Sequence, residues 1–230
     1  MKRVVSVRKY KVPYLPEKVI EEHAEMLLGE WAVDHPAVTE PPVPIEDILE
    51  LGLGLNFEIA DLQSDLGHPD ILGGIWFGAR LIKVDQSLDP TNNPRILGRY
   101  RFTLAHEVGH WRLHRKHLMD DPNAASLFEQ NSDPAFVCRS SSKPPEEWQA
   151  DRFAACVLMP RRLIFEAWER WQGKPDEVSL DELGIDENDE SAMDSFCRPF
   201  ADLFEVSAQA MRYRLQGLDL LVKEKEPRLF

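Results

Sequence analysis

The segment Thr103–His114, TLAHEVGHWRLH, constrains this chain more than any other stretch. Its histidines fall four apart, at 106, 110 and 114, with Glu107 beside the first. On a helix such positions share a face, so His106 and His110 can point their rings at one ion. Glu107 lies one step round the helix, within reach of a water on that ion. This is the pattern His-Glu-x-x-His, two ligands and a general base of a zinc peptidase. Histidines satisfied inside an ordinary core are the plain alternative. Against it stand Gly109, which costs about 1 kcal/mol in a helix interior and so implies a close neighbour, and the small Ala105. Leu104, Val108 and Trp111 form a separate apolar stripe that can anchor the helix. His114 lies two turns beyond His106, about 12 Å along the axis, too far to share the ion. It and His117 are therefore expected behind the ligands, facing substrate or exposed.

The fold must then bring a third ligand from another element. The metzincin continuation would need Gly at 113 and His at 116, where the chain has Leu113 and Lys116. A gluzincin uses a glutamate on a following helix, and EEWQADRFAACVLMP suits that role. Glu147 and Asp151 are four apart, so Glu147 can ligate while Asp151 accepts the free ring N–H of a histidine ligand. Glu146 would pair with Ala150 instead, which favours Glu147. Ala150 and Ala154 lie on the same side and let two helices close on the metal, while Phe153, Val157 and Leu158 take the core side. The expected site is His106, His110 and Glu147 with one open position, Glu107 as base and Asp151 behind a ligand. Zn2+ is the expected ion by ligand type, with Mn2+ as an alternative. Tyr100, Arg101, His114 and His117 are all available as a second oxyanion donor, and the sequence does not choose among them.

With 230 residues, 43% of them apolar, the chain can bury a full core. A net charge of −13 argues against general nucleic-acid or membrane-surface binding. Three cysteines without a CxxC pair indicate neither a disulfide framework nor a thiolate zinc site and suit a reducing, cytoplasmic setting. The basic N-terminus lacks the apolar run of a signal peptide, and no stretch reaches membrane-spanning length. Along the chain, Pro16 opens an amphipathic helix, HPAVTEPPVP is a linker, and PIEDILELG is a short helix. LGLNFEIADL and ILGGIWFGARLIKVD read as strands, the second folding on itself near Gly78. Pro94 starts the histidine helix, residues 116–143 read as a long loop, and two helices follow on either side of Pro160. The resulting expectation is an α+β fold, mostly helical, with a small antiparallel sheet. A core domain over 1–175 would be followed by an acidic, solvated insertion at 176–194 and a helical segment at 195–230.

RFTLAHEVGHWRLH, FVCRSS and EEWQADRFAACVLMP resemble the three signature blocks of the ImmA/IrrE metallopeptidases. The order of elements is similar from about Val12 to Leu221, including a closing VSxxAMxxRL phrase. The resemblance implies a zincin-like core, ligands His106, His110 and Glu147, and Glu107 as base. It also implies a cytoplasmic endopeptidase that cleaves or inactivates a helix-turn-helix, XRE-like repressor and so relieves repression. Two other readings compete. FADLFEVSAQAMRYRLQGL has the look of a helix-turn-helix whose second helix, with Arg212 and Arg214, would touch DNA. Alternatively, the zinc site binds a repressor without cutting it.

Overall fold

A computed structural model describes residues 12–130, 133–139 and 144–224. The basic segment up to residue 11, read above for a signal peptide, and Ser140 and Ser141 of the FVCRSS block lie outside the described residues. The helices are α1 (Glu17–Asp34), α2 (Ile45–Asp47), α3 (Leu62–Leu66), α4 (Leu97–Gly109), α5 (Arg115–Met119), α6 (Pro145–Leu158), α7 (Arg161–Gln172), α8 (Leu180–Leu183), α9 (Glu190–Phe204) and α10 (Ala208–Gly217). The strands are β1 (Asn56–Ala60), β2 (Ile71–Trp76), β3 (Leu81–Asp85), β4 (Phe136–Arg139), β5 (Val178–Ser179) and β6 (Leu221–Val222). Two compact units result. One runs through Val38 and resumes from Pro44 to Leu158; the other takes Thr39–Val43 and the chain from Met159 onward.

In the first unit, β1 to β4 form one sheet in the order β1-β3-β2-β4. The hairpin β2–β3 turns at Gly78, as its glycine suggests, and β4 adds antiparallel to β2 with a bulge between Ile71 and Gly73. The fold is α+β with a small sheet, but that sheet is mixed: β1 pairs with β3 in parallel, Asn56 opposite Leu81 and Ala60 opposite Asp85. The short helix α3 reverses the chain after β1, so the hairpin's second strand returns alongside β1 in the same direction. The stretch expected as a long loop carries α5, a 3-10 turn over Pro122–Phe128, and β4. Each is too short to leave a periodic signal.

α4 is buried almost throughout its second half because it packs against β2 and β3 as well as α6. Leu104 and Val108 are buried as the apolar stripe requires, and Trp111 lies against the guanidinium groups of Arg80 and Arg115. After Gly109 the helix widens into a π turn over His110–His114, closed by the Arg115 amide donating to the His110 carbonyl. Such wide turns recur at functional sites. α1 buries Ile20, Ala24, Leu27 and Trp31 and packs against α6.

In the second unit, α7 buries Leu163, Ile164, Ala167 and Trp168, and Trp168 stacks on Phe200 of α9 at 5.5 Å between centroids. The acidic tract carries β5 and α8, the latter opened by a Ser179–Glu182 capping box, and β5 pairs in parallel with β6. α9 and α10 pack together, joined by a short turn with Glu205 in the left-handed region and Ser207 capping α10. The two arginines proposed for DNA contact point inward. Arg212 pairs with Asp194 at 2.8 Å, and Arg214 donates from Nε to the Met159 carbonyl at 3.0 Å. Both are buried. No helix among the described residues is long and apolar enough to cross a membrane.

Candidate metal centre

α4 and α6 approach each other closely, and small residues permit it. A Cβ built on Gly109 would lie 3.1 Å from the Ala150 Cα and 3.3 Å from the Phe153 Cβ. This is the close neighbour that a glycine in mid-helix implied. Ala150 and Ala154 are fully buried, and Phe153, assigned to the core side, also faces this contact.

Across that seam three expected ligands converge. His106 Nε2 lies 3.2 Å from Glu147 Oε2, His110 Nε2 lies 3.3 Å from Glu147 Oε1, and the two Nε2 atoms are 3.1 Å apart. Asp151 Oδ1 stands 2.9 Å from His106 Nδ1, on the other side of that ring. Phe136 of β4 stacks on the His110 ring, 4.1 Å between centroids at 10°.

A neutral imidazole carries one N–H. His106 places its N–H at Nδ1, donating to Asp151, so Nε2 presents a lone pair. His110 Nδ1 faces His114, leaving Nε2 free to present a lone pair as well. Glu147 is acceptor-only as a carboxylate. Two lone pairs and a carboxylate thus crowd one buried point, which is unfavourable unless a cation lies between them. His106, His110 and Glu147 offer ligand atoms all within 4.8 Å of one another. Two imidazoles and a carboxylate suit zinc.

The electrostatics follow the same logic. Burial alone would depress the His106 ring, but the neighbouring Cys138 sulfur first, and then hydrogen bonds to Asp151, Cys138 and Glu147, outweigh it and hold its pKa well above 6.5. In the metal-free chain a proton therefore takes the cation's place. Burial lowers His110 and, with the nearby His110 ring, lowers His114 to about 3. Glu147 is held well below the usual carboxylate range: its burial is outweighed by the His110 and His106 rings.

Glu107 is fully buried, and neither of its oxygens has a hydrogen-bond partner among the described residues. The Cys138 backbone amide approaches it, but not at hydrogen-bonding geometry. Burial pushes its carboxyl up to about 8, with His106 opposing and Glu147 assisting. Space for it comes from Gly73 on β2, where a Cβ would strike Thr103 Cγ2 at 2.6 Å and Glu107 Oε1 at 3.0 Å.

The candidate oxyanion donors are dispersed. Arg101 is buried against Glu46 at 3.3 Å, Tyr100 is buried on α4, His114 is buried behind His110, and His117 is exposed on α5. Sequence reasoning missed Cys138. Its sulfur lies within 4.8 Å of ligand atoms of both His106 and Glu107. Burial raises the thiol's pKa, against the opposing pull of the His106 ring. Its position in FVCR, a short β-branched and aromatic run, was the available signal. Gln149 and Gly73 were missed too, since neither residue type marks a site.

No curated protein matches the sequence. Among solved structures, a Mycobacterium tuberculosis transcriptional regulator aligns over 92% of this chain at 14% identity and a TM-score of 0.46. The present chain spans about half, 49%, of that protein's length. The profile of the IrrE N-terminal-like domain, peptidase family M78, matches residues 92–216. That match runs from just before the histidine helix into the last turn of α10 and takes in both helices that hold the acceptor cluster. Covering more than half of the sequence, it shows that the chain belongs to the IrrE N-terminal-like family of metallopeptidase-like proteins.

Proposed function

We propose that this chain is a zinc-dependent endopeptidase acting on a helix-turn-helix repressor in the cytoplasm, with His106, His110 and Glu147 as ligands and Glu107 as general base. One observation carries the reading: buried acceptor atoms of three side chains converge beside a buried carboxylate that has no partner among the described residues. When bound, a divalent ion supplies Lewis acidity, making water nucleophilic near neutral pH and stabilising negative charge on a carbonyl oxygen. Glu107 takes a proton from the attacking water and returns it to the leaving amine. A nearby cation favours the ionised form that the first of these steps requires. Asp151 keeps the His106 proton on Nδ1, so that Nε2 remains a ligand. Manganese is the alternative ion. The repressor substrate rests on the family resemblance, and the inward-facing Arg212 and Arg214 remove the main support for direct DNA contact.

The test pairs the purified chain, its metal content measured, with the repressor encoded beside its gene. Cleavage by the parent and none by Glu107→Gln, at equal zinc content, is the expected result. Equal loss of repressor function with both would remove hydrolysis from the mechanism.

A further inference from the structure

Behind the ligands runs a second line of polar groups that the His-Glu-x-x-His pattern does not require. His110 Nδ1 lies 2.9 Å from His114 Nδ1, His114 Nε2 lies 3.3 Å from Gln149 Oε1, and Gln149 Nε2 lies 3.0 Å from the Pro13 carbonyl. The three side chains are fully buried. Their protons can be assigned from the far end. A carbonyl only accepts, so the Gln149 amide nitrogen donates to Pro13 and its oxygen must face His114. That oxygen accepts, so His114 carries its N–H at Nε2. Its Nδ1 is then an acceptor, and His110 must donate from Nδ1. Only one direction satisfies every link, and it leaves the His110 Nε2 lone pair aimed at His106 and Glu147.

We propose that His114 is a positioning residue: through Gln149 and the Pro13 carbonyl its tautomer is fixed, and its Nδ1 in turn fixes His110 as an Nε2 ligand. The inference rests on the metal-site reading above and deepens it. It accounts for a histidine too far from His106 to share the ion, yet wholly buried. The π turn over His110–His114 sets the spacing at which the two rings meet. Asp151 acts on His106 and His114 on His110, so each ligand ring is held from behind by a different group. At the outer end, Pro13 precedes α1, so the chain entering that helix helps set a ligand's tautomer.

The test uses the full chain and two readouts besides activity: zinc affinity by chelator competition, and ring nitrogen NMR of histidine-labelled protein. His114 should report as the Nε2–H tautomer. His114→Leu should weaken zinc binding about 10–100-fold, the usual cost of losing a ligand's hydrogen-bond partner. His114→Asn, whose Oδ1 can replace the Nδ1 acceptor, should recover most of that loss, which a filler of space would not. Should His114→Leu fail to fold, Gln149→Met must lower affinity several-fold and mix the His114 tautomers. A folded His114→Leu protein binding zinc within twofold of the parent, an Nδ1–H His114, or an unaffected Gln149→Met overturns the proposal while leaving the metal site standing. A parent chain that binds no zinc at all overturns both.

Discussion

The same substitution at two helical glycines should have opposite effects. At Gly29, in α1, an added Cβ would have nothing within 4 Å, whereas at Gly109 the same carbon meets Ala150 Cα at 3.1 Å, Ala150 O at 3.2 Å and Phe153 Cβ at 3.3 Å. Alanine gains about 1 kcal/mol over glycine in a helix interior at either place. At Gly29 nothing opposes that gain, so Gly29→Ala should stabilise by about 0.5–1 kcal/mol. At Gly109 two of the three contacts are backbone, which cannot rotate away. Carbon pairs prefer about 3.5–4.0 Å, so α4 and α6 must separate by about 0.5 Å. Such overpacking costs about 1–3 kcal/mol, leaving Gly109→Ala about 0–2 kcal/mol less stable than the parent. The proposed metal centre should suffer more than the fold, because its candidate ligands straddle the seam and coordination tolerates only about 0.2 Å. Thermal unfolding of the metal-free proteins, about 2–4 °C per kcal/mol at this size, reads the first effect, and chelator competition the second. If Gly109→Ala gains stability as Gly29→Ala does and binds zinc as the parent does, the tight seam is not what sets the site.

Asp151→Asn should keep the fold and lower zinc affinity about 10–100-fold by chelator competition, because the His106 Nδ1–H loses its charged acceptor. Zinc binding should also release protons. His106 is protonated in the metal-free chain below a pKa well above 6.5, and Glu107 below about 8, so affinity must fall as pH falls through those values. Between about pH 6 and 8 the expected slope is one to two decades per pH unit, and a flat profile would refute the proton assignment. Arg212→Ala should destabilise the protein by about 1–3 kcal/mol in denaturant titration, since it removes a buried side chain and strips the partner from the half-buried Asp194 of the second unit. It should leave duplex DNA binding unchanged at low salt, whereas a loss of binding would revive the helix-turn-helix reading.

The helices that bear the acceptor cluster were legible because their information is local. Four-residue spacing puts His106 with His110, and Glu147 with Asp151, whatever the tertiary context. Gly109 announced its neighbour through the cost of placing it in a helix. The sheet was less legible. The direction of β1 depends on how α3 turns the chain, and β4 is only four residues long. The groups behind the ligands were least legible. Gln149 looks like any helical glutamine until Pro13, distant in sequence, supplies the carbonyl that orients it. Arg212 and Arg214 misled for the opposite reason: cations on a helix that follows a turn suggest a helix-turn-helix, and only Asp194 and the Met159 carbonyl show them turned inward.

Gly73 bears on how far the histidine motif can travel. The helix brings its own imidazoles, but the bare patch facing the acid belongs to a strand some thirty residues earlier. Grafting HEVGH onto another pair of helices would move the candidate ligands and leave behind the bare strand position that makes room for the glutamate. A designer wanting reactivity as well as affinity would have to carry the missing side chain along with the ones that are present.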